Sequence, residues 1–153
     1  MLTIEQQETV LETVLAAVSG VKKVFTEYPD ALQDRELPAL ILFPADGSYD
    51  QVADGANSLT VDRVWRALLY VKRAELGREF QAQCEVKPFL TAIPLALAAR
   101  QVLNADGYGF QVFLDRGGDT GPRPLTYNDQ AYAGAEFRFR TVIDDEVDQI
   151  GTI

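Results

Sequence analysis

Residues 127–143 read YNDQAYAGAEFRFRTVI, a polar turn that passes through a glycine into an alternating strand. Ala135, Phe137, Phe139, Thr141 and Ile143 point to one side of that strand, and Glu136, Arg138, Arg140 and Val142 to the other, because strand side chains alternate with period two. One face is core and the other is charged. In a chain with formal charge −9, two arginines and a glutamate on a sheet face meet either water or another subunit.

Working back from that strand, Tyr108, Phe110, Val112 and Leu114 alternate with Gly109, Gln111 and Phe113, which gives a second strand after the turn at 104–107. Between the two lies Asp115–Pro124, DRGGDTGPRP. A phosphate-cradling loop needs Gly-Lys-Ser/Thr leading into a helix, whereas here prolines lead into a strand, so the stretch reads as a flexible hairpin connection. Leu59–Lys72 is the longest strand, with Trp65, Ala67, Leu69 and Val71 on one face and Val64, Leu68 and Tyr70 on the other beside Arg66 and Lys72. Both faces are partly apolar. Helices on one side would leave the second face half-covered, which points to self-association or to a small layer or loop of the same chain folded over it.

Residues 39–43, ALILF, are apolar throughout and sit between two prolines, so they form a central strand covered on both faces. Val21–Tyr28 is a short strand ending at Pro29. Ala45–Ser58, rich in Gly, Asp, Asn and Ser, reads as a long exposed loop. Its Asp46, Asp50 and Asp54 recur every four residues, the wrong spacing for an EF-hand, so no metal is expected there.

Two helical regions complete the pattern. Thr3–Ser19 carries Ile4, Val10, Leu11, Val14, Leu15 and Val18 on one stripe, which Gln7 interrupts. Thr3 with Gln6 makes a capping box, and Gly20 marks the stop. Gly77–Leu103 aligns Val86, Leu90, Ile93 and Leu97, with Pro88 and Pro94 requiring a kink or a division into shorter segments. Cys84 and Phe80 lie off that stripe. The order predicts one α+β domain over residues 1–153, with the helices packed on a mainly antiparallel sheet.

Composition narrows the functions. With no histidine and one cysteine, the chain lacks the commonest general base and zinc ligand and cannot form an internal disulfide. With only three serines as well, no nucleophile with a base can be drawn, so the sequence predicts no enzyme and no cofactor. The negative charge argues against gripping nucleic acid through phosphates. No apolar run approaches the length of a membrane span and no export leader is apparent, so a soluble protein is expected.

The succession of an N-terminal helix, VKKVFTEYPD, LPALILFP, a variable loop, a long Trp-bearing strand, a helix around VKPFLTAIPLAL and the closing YNDQAYAGAEFRFRTV resembles the tail terminator proteins of long-tailed bacteriophages. The likeness rests on Pro38–Phe43, Trp65–Val71, Pro88–Leu97, Tyr132, Gly134, Phe137 and Phe139. Tail-completion and neck proteins of the same phages share much of it. The resemblance implies a protomer that assembles into a homo-hexameric ring in the virion tail, at its head-proximal end, after synthesis in the host cytoplasm. Such a ring caps the tail tube protein, ends its polymerisation and joins it to the head–tail connector, while genome DNA passes through without specific binding.

For such an assembly the candidate interface residues are Arg66, Arg138 and Arg140 on the sheet faces, since arginine in an acidic protein has many carboxylates to meet. Asp50 and Asp54 in the first loop and Arg116 and Arg123 in the second join them, as charges able to order on a partner. Intramolecular pairing of the arginines with Glu136 or with the acidic run 144–148 is the competing expectation. A monomeric or dimeric accessory domain that binds a ligand or peptide on its sheet face is the alternative function.

Overall fold

A computed structural model of the chain describes residues 3–52, 58–75, 77–99, 102–105 and 108–146. Strands β1 (Lys23–Phe25), β2 (Ala39–Val52), β3 (Ser58–Arg73), β4 (Val102–Ala105), β5 (Tyr108–Asp119), β6 (Arg123–Tyr127) and β7 (Gln130–Glu146) form one sheet. Its order is β1-β2-β3-β7-β5-β4, with β6 also paired to β7. Among the described residues only the β1–β2 pair is parallel; the others are antiparallel. The class is therefore α+β, with a mostly antiparallel, mixed sheet.

Helices α1 (Ile4–Ala16), α2 (Glu79–Cys84) and α3 (Lys87–Ala98) supply the apolar stripes that pack on one face. There Leu11, Leu15, Val86, Ile93 and Leu97 meet Leu40, Leu42, Trp65, Leu69, Phe137 and Phe139 in one buried cluster. The Thr3–Gln6 capping box forms as expected, with Thr3 Oγ1 accepting from Gln6 N at 3.1 Å and Gln6 Oε1 accepting from Thr3 N at 2.8 Å. The second helical region divides in two as the prolines required. The break falls just ahead of Pro88, which occupies the first turn of α3, where a missing N–H costs nothing, while Pro94 stays inside the helix. Phe89, and not Leu90, completes the buried stripe.

Residues 127–143 behave as read. Asn128 and Asp129 adopt φ of 48° and 62°, and Tyr127 pairs with Gln130, a two-residue hairpin of the kind that Asn and Asp tolerate best. Ala135, Phe137, Phe139, Thr141 and Ile143 are all buried on the helix side. Gly134 has a packing reason: a Cβ there would stand 1.9 Å from the Leu69 carbonyl oxygen.

Three expectations are corrected. Most of Ala45–Ser58 is strand and not loop, because β3 continues to Ser58 and offers β2 a ladder as far as Val52. Pairing with a long neighbour overrides weak strand propensity. A register shift between Pro44 and Gly47 absorbs the proline, and Arg63 Nη1 donates to Ala45 O at 3.1 Å. Likewise Asp115–Asp119 continues β5 along β7 and is not a flexible connection, the register shift between Phe113 and Gly118 taking up its glycines. Residues 102–103, read as the end of a helix, belong to β4.

The second sheet face is roofed at one end by the chain itself. Leu32 and Leu37, in the segment between β1 and β2, pack with Ala39, Ile41, Tyr70, Leu125 and Tyr132. This segment is tied down by hydrogen bonds from Tyr127 Oη to Pro29 O and from Asn128 Nδ2 to Asp30 O. An ion pair joins Arg73 Nε to Asp34 at 2.9 Å. Of the two covers the sequence allowed, the apolar end of this face has the loop of its own chain.

Candidate functional site

Beyond that roof the second face is charged. Cross-strand register places Arg66 opposite Arg138, Leu68 opposite Glu136 and Val64 opposite Arg140. Residues on one face one step apart along neighbouring strands are within reach of long side chains. Glu136 thereby sits between Arg66 and Arg138: Arg66 Nη2 donates to its Oε1 and Arg138 Nε to its Oε2, the latter at 3.2 Å. Its carboxylate is 5% exposed, against 34% for the Arg66 side chain and 57% for Arg138. Burial pushes the Glu136 carboxyl upward, but the hydrogen bonds and charges of Arg66 and Arg138 outweigh burial and hold it below the usual carboxylate range.

Arg140 makes a second pair, Nη1 donating to Asp62 Oδ2 at 2.6 Å. The guanidiniums also cover aromatic rings, Arg66 over Phe43 at 5.0 Å and Arg140 over Phe113 at 4.6 Å, geometry suited to cation–π attraction. The predicted pairing of arginines within the chain is thus real for Glu136. For Arg140 the pairing joins it to Asp62 on β3, while most of the acidic run 144–148 lies outside the described side chains. Asp144 accepts a hydrogen bond from Thr60 Oγ1.

An open groove of about 340 Å³ lies on this face, lined by Asp46, Asp62, Val64, Gly117, Arg138 and Arg140. A second groove, also about 340 Å³, is lined by Thr120, Arg123, Glu136 and Arg138, so Arg138 stands on both. Arg123 therefore joins the arginine face, and it is exposed. Asp50 is exposed on β2, well along the β2–β3 ribbon. Asp54 and the Arg116 side chain lie outside the described residues. Among the described residues, no group of three or more Asp, Glu, Cys or His is placed to hold a metal, and no helix is long and apolar enough to cross a membrane.

Sequence reasoning overlooked two features. Gln7, read as an interruption of the α1 stripe, is buried. Trp65 Nε1 donates to Thr141 Oγ1 at 2.8 Å, and Thr141 Oγ1 donates to Gln7 Oε1 at 3.0 Å. This chain ties α1 to β3 and β7 and satisfies three buried polar groups. A polar residue on an apolar stripe was the available signal, together with a tryptophan and a threonine on core faces. The other is the tyrosine cluster, in which Tyr70 meets Tyr127 and Tyr132 edge-on at 5.7 and 5.6 Å. Burial, with Tyr28, Tyr127 and Tyr132 nearby, pushes the Tyr70 hydroxyl up to about 12.

The fold and this face define an α+β sheet protein in which Arg66, Arg138 and Arg140 are paired with carboxylates along an open sheet surface. No protein-family model matches the chain, and no curated protein matches it.

Proposed function

We propose that this chain is a structural subunit that assembles with copies of itself into a hexameric ring, and that the ring caps a bacteriophage tail tube, ends its growth and presents the surface to which the head connector attaches. The self-assembling half of this reading is supported by one observation above all, the arginine face left bare beyond the roofing segment. Its three guanidiniums, Arg66, Arg138 and Arg140, are paired with two carboxylates, Glu136 and Asp62, so these groups carry no excess of negative charge on a chain whose total is −9. Two like-charged copies meet with least repulsion at such a surface. The tail half rests on the likeness in the order of elements and in the fold residues quoted above.

The mechanism is steric. A ring complementary to the last ring of the tube leaves no site for another tube subunit, and no catalytic group takes part. Six copies at −9 each also give a channel that repels DNA wherever their carboxylates line it.

Light scattering with negative-stain imaging of the purified protein tests the reading, the expected result being rings of a mass near six times 16.9 kDa. Arg138→Ala is expected to loosen the ring without unfolding the protomer, because Arg66 still pairs with Glu136. A stable monomer whose melting temperature rises with an added ligand would support a binding domain that uses the same grooves.

A further inference from the structure

Among the described residues, the sheet has open edges on both sides. On one side, β1 covers only Ala39–Ile41 of β2, and from Leu42 to Val52 no strand of the described residues lies outside β2. On the other side β4 is outermost. An open strand edge presents unpaired N–H and C=O groups to any strand that can reach them, and proteins guard such edges with proline, lysine, bulges or covering segments.

The guarding here is uneven. Near Pro44 the β2 edge is broken by the register shift to Gly47, and Arg63 occupies the Ala45 carbonyl. From Gly47 to Val52 the ladder with β3 is regular. That stretch, GSYDQV, contains no proline and one charged residue, Asp50, and it carries Tyr49 at 68% exposure. The β4 strand, VLNA, has neither proline nor charge.

The two unguarded edges are level with each other. Ser48 pairs with Asp62, Asp62 with Val142, Val142 with Gln111 and Gln111 with Val102, so a single row crosses the sheet from one open edge to the other. From that row toward the ribbon end, β2 runs from Ser48 to Val52 and β4 from Val102 to Ala105, in the same direction. An edge on each side, at the same height and with the same polarity, lets one copy continue the sheet of the next by a head-to-tail contact, the kind that closes into rings.

We infer that neighbouring copies join by strand addition, the β2 edge at Ser48–Gln51 of one protomer pairing in parallel with the β4 edge at Val102–Ala105 of the next. This deepens the ring reading and rests on it. Main-chain hydrogen bonds give the contact its strength, and a junction with one charge per copy lets chains of −9 approach.

Cysteine pairing tests the inference. In a Cys84→Ala background, Ser48→Cys protein is mixed with Val102→Cys protein, and Asp50→Cys with Asn104→Cys, under mild oxidation. Neighbouring strands bring paired Cα atoms within disulfide reach. A covalent mixed dimer is expected from each mixture and none from any single variant. Maleimide labelling establishes that the thiols are accessible, and circular dichroism that each variant is folded. An oligomeric mass with no mixed dimer from either pair overturns strand addition and leaves the ring standing. Crosslinking of Ser48→Cys to itself also overturns it, since that means two identical edges meet. A monomeric mass for the unmutated protein removes both the ring and the junction.

Discussion

Glu136→Gln removes one negative charge from between two guanidiniums while keeping the shape of the side chain. Breaking a fully buried ion pair costs about 3–5 kcal/mol, because a charge is left without its partner in a poorly solvated place. Here the carboxylate is 5% exposed but Arg66 and Arg138 are 34% and 57% exposed, so water compensates much of the loss. A cost of about 1–3 kcal/mol follows. The pH dependence supplies a sharper check. Because the folded carboxyl titrates below its ordinary value of 4.5, its stabilisation is complete above that value and is lost as pH falls through the lowered one. Urea unfolding of both proteins at neutral pH and near pH ~3 measures this, and the gap between them should narrow on acidification. A cost under about 0.5 kcal/mol at neutral pH, typical of an exposed pair, would refute the account. So would a gap that persists undiminished in acid.

Three further outcomes are expected. Thr141→Val takes from Trp65 Nε1–H and Gln7 Oε1 the hydroxyl that each bonds in the core, and should cost roughly 2–4 kcal/mol in chemical denaturation. Gly134→Ala drives a methyl into the Leu69 carbonyl oxygen, and because backbone cannot yield as a side chain does, the protein should be insoluble or lack a cooperative melt. Tyr70 keeps its proton in the folded protein up to about pH 12 but releases it near 10 when unfolded; stability should therefore fall between those values by up to about 2–3 kcal/mol, and Tyr70→Phe should flatten that fall in alkaline melts.

The readable elements in this sequence were those where one force dominates. Strict alternation in 135–143 and the all-apolar run at 39–43 each admit one arrangement, and the structure has it. Ala45–Val52 was misread because its composition favours a turn, while its conformation is set by β3, whose reach to Ser58 is not encoded in residues 45–52 at all. The same holds for Asp115–Asp119, held by β7. Arg138 and Glu136 could be seen to share a face, since both sit at even positions of one strand. Asp62 as the partner of Arg140 could not, because it depends on which residue of β3 lies beside which residue of β7. Register between distant strands is the information a single sequence carries least directly.

That distinction bears on where an interface is to be sought. Half-covered apolar surface on the second face was the sequence's reason for expecting self-association, and the segment between β1 and β2 covers the apolar end of that face. Among the described residues, what remains open is of two kinds, ion-paired arginine surface in the middle and strand backbone without a neighbour at the two edges. Paired arginines contribute little binding strength of their own, since their charge is already met; they govern which surfaces repel and in what orientation copies approach. Unpaired backbone supplies strength without regard to side chains, and therefore needs something else to restrict its partners. The two features are complementary, and removing them one at a time separates their roles. Arg138→Ala should change how assembly depends on salt, whereas Gln51→Pro should reduce assembly at every salt concentration.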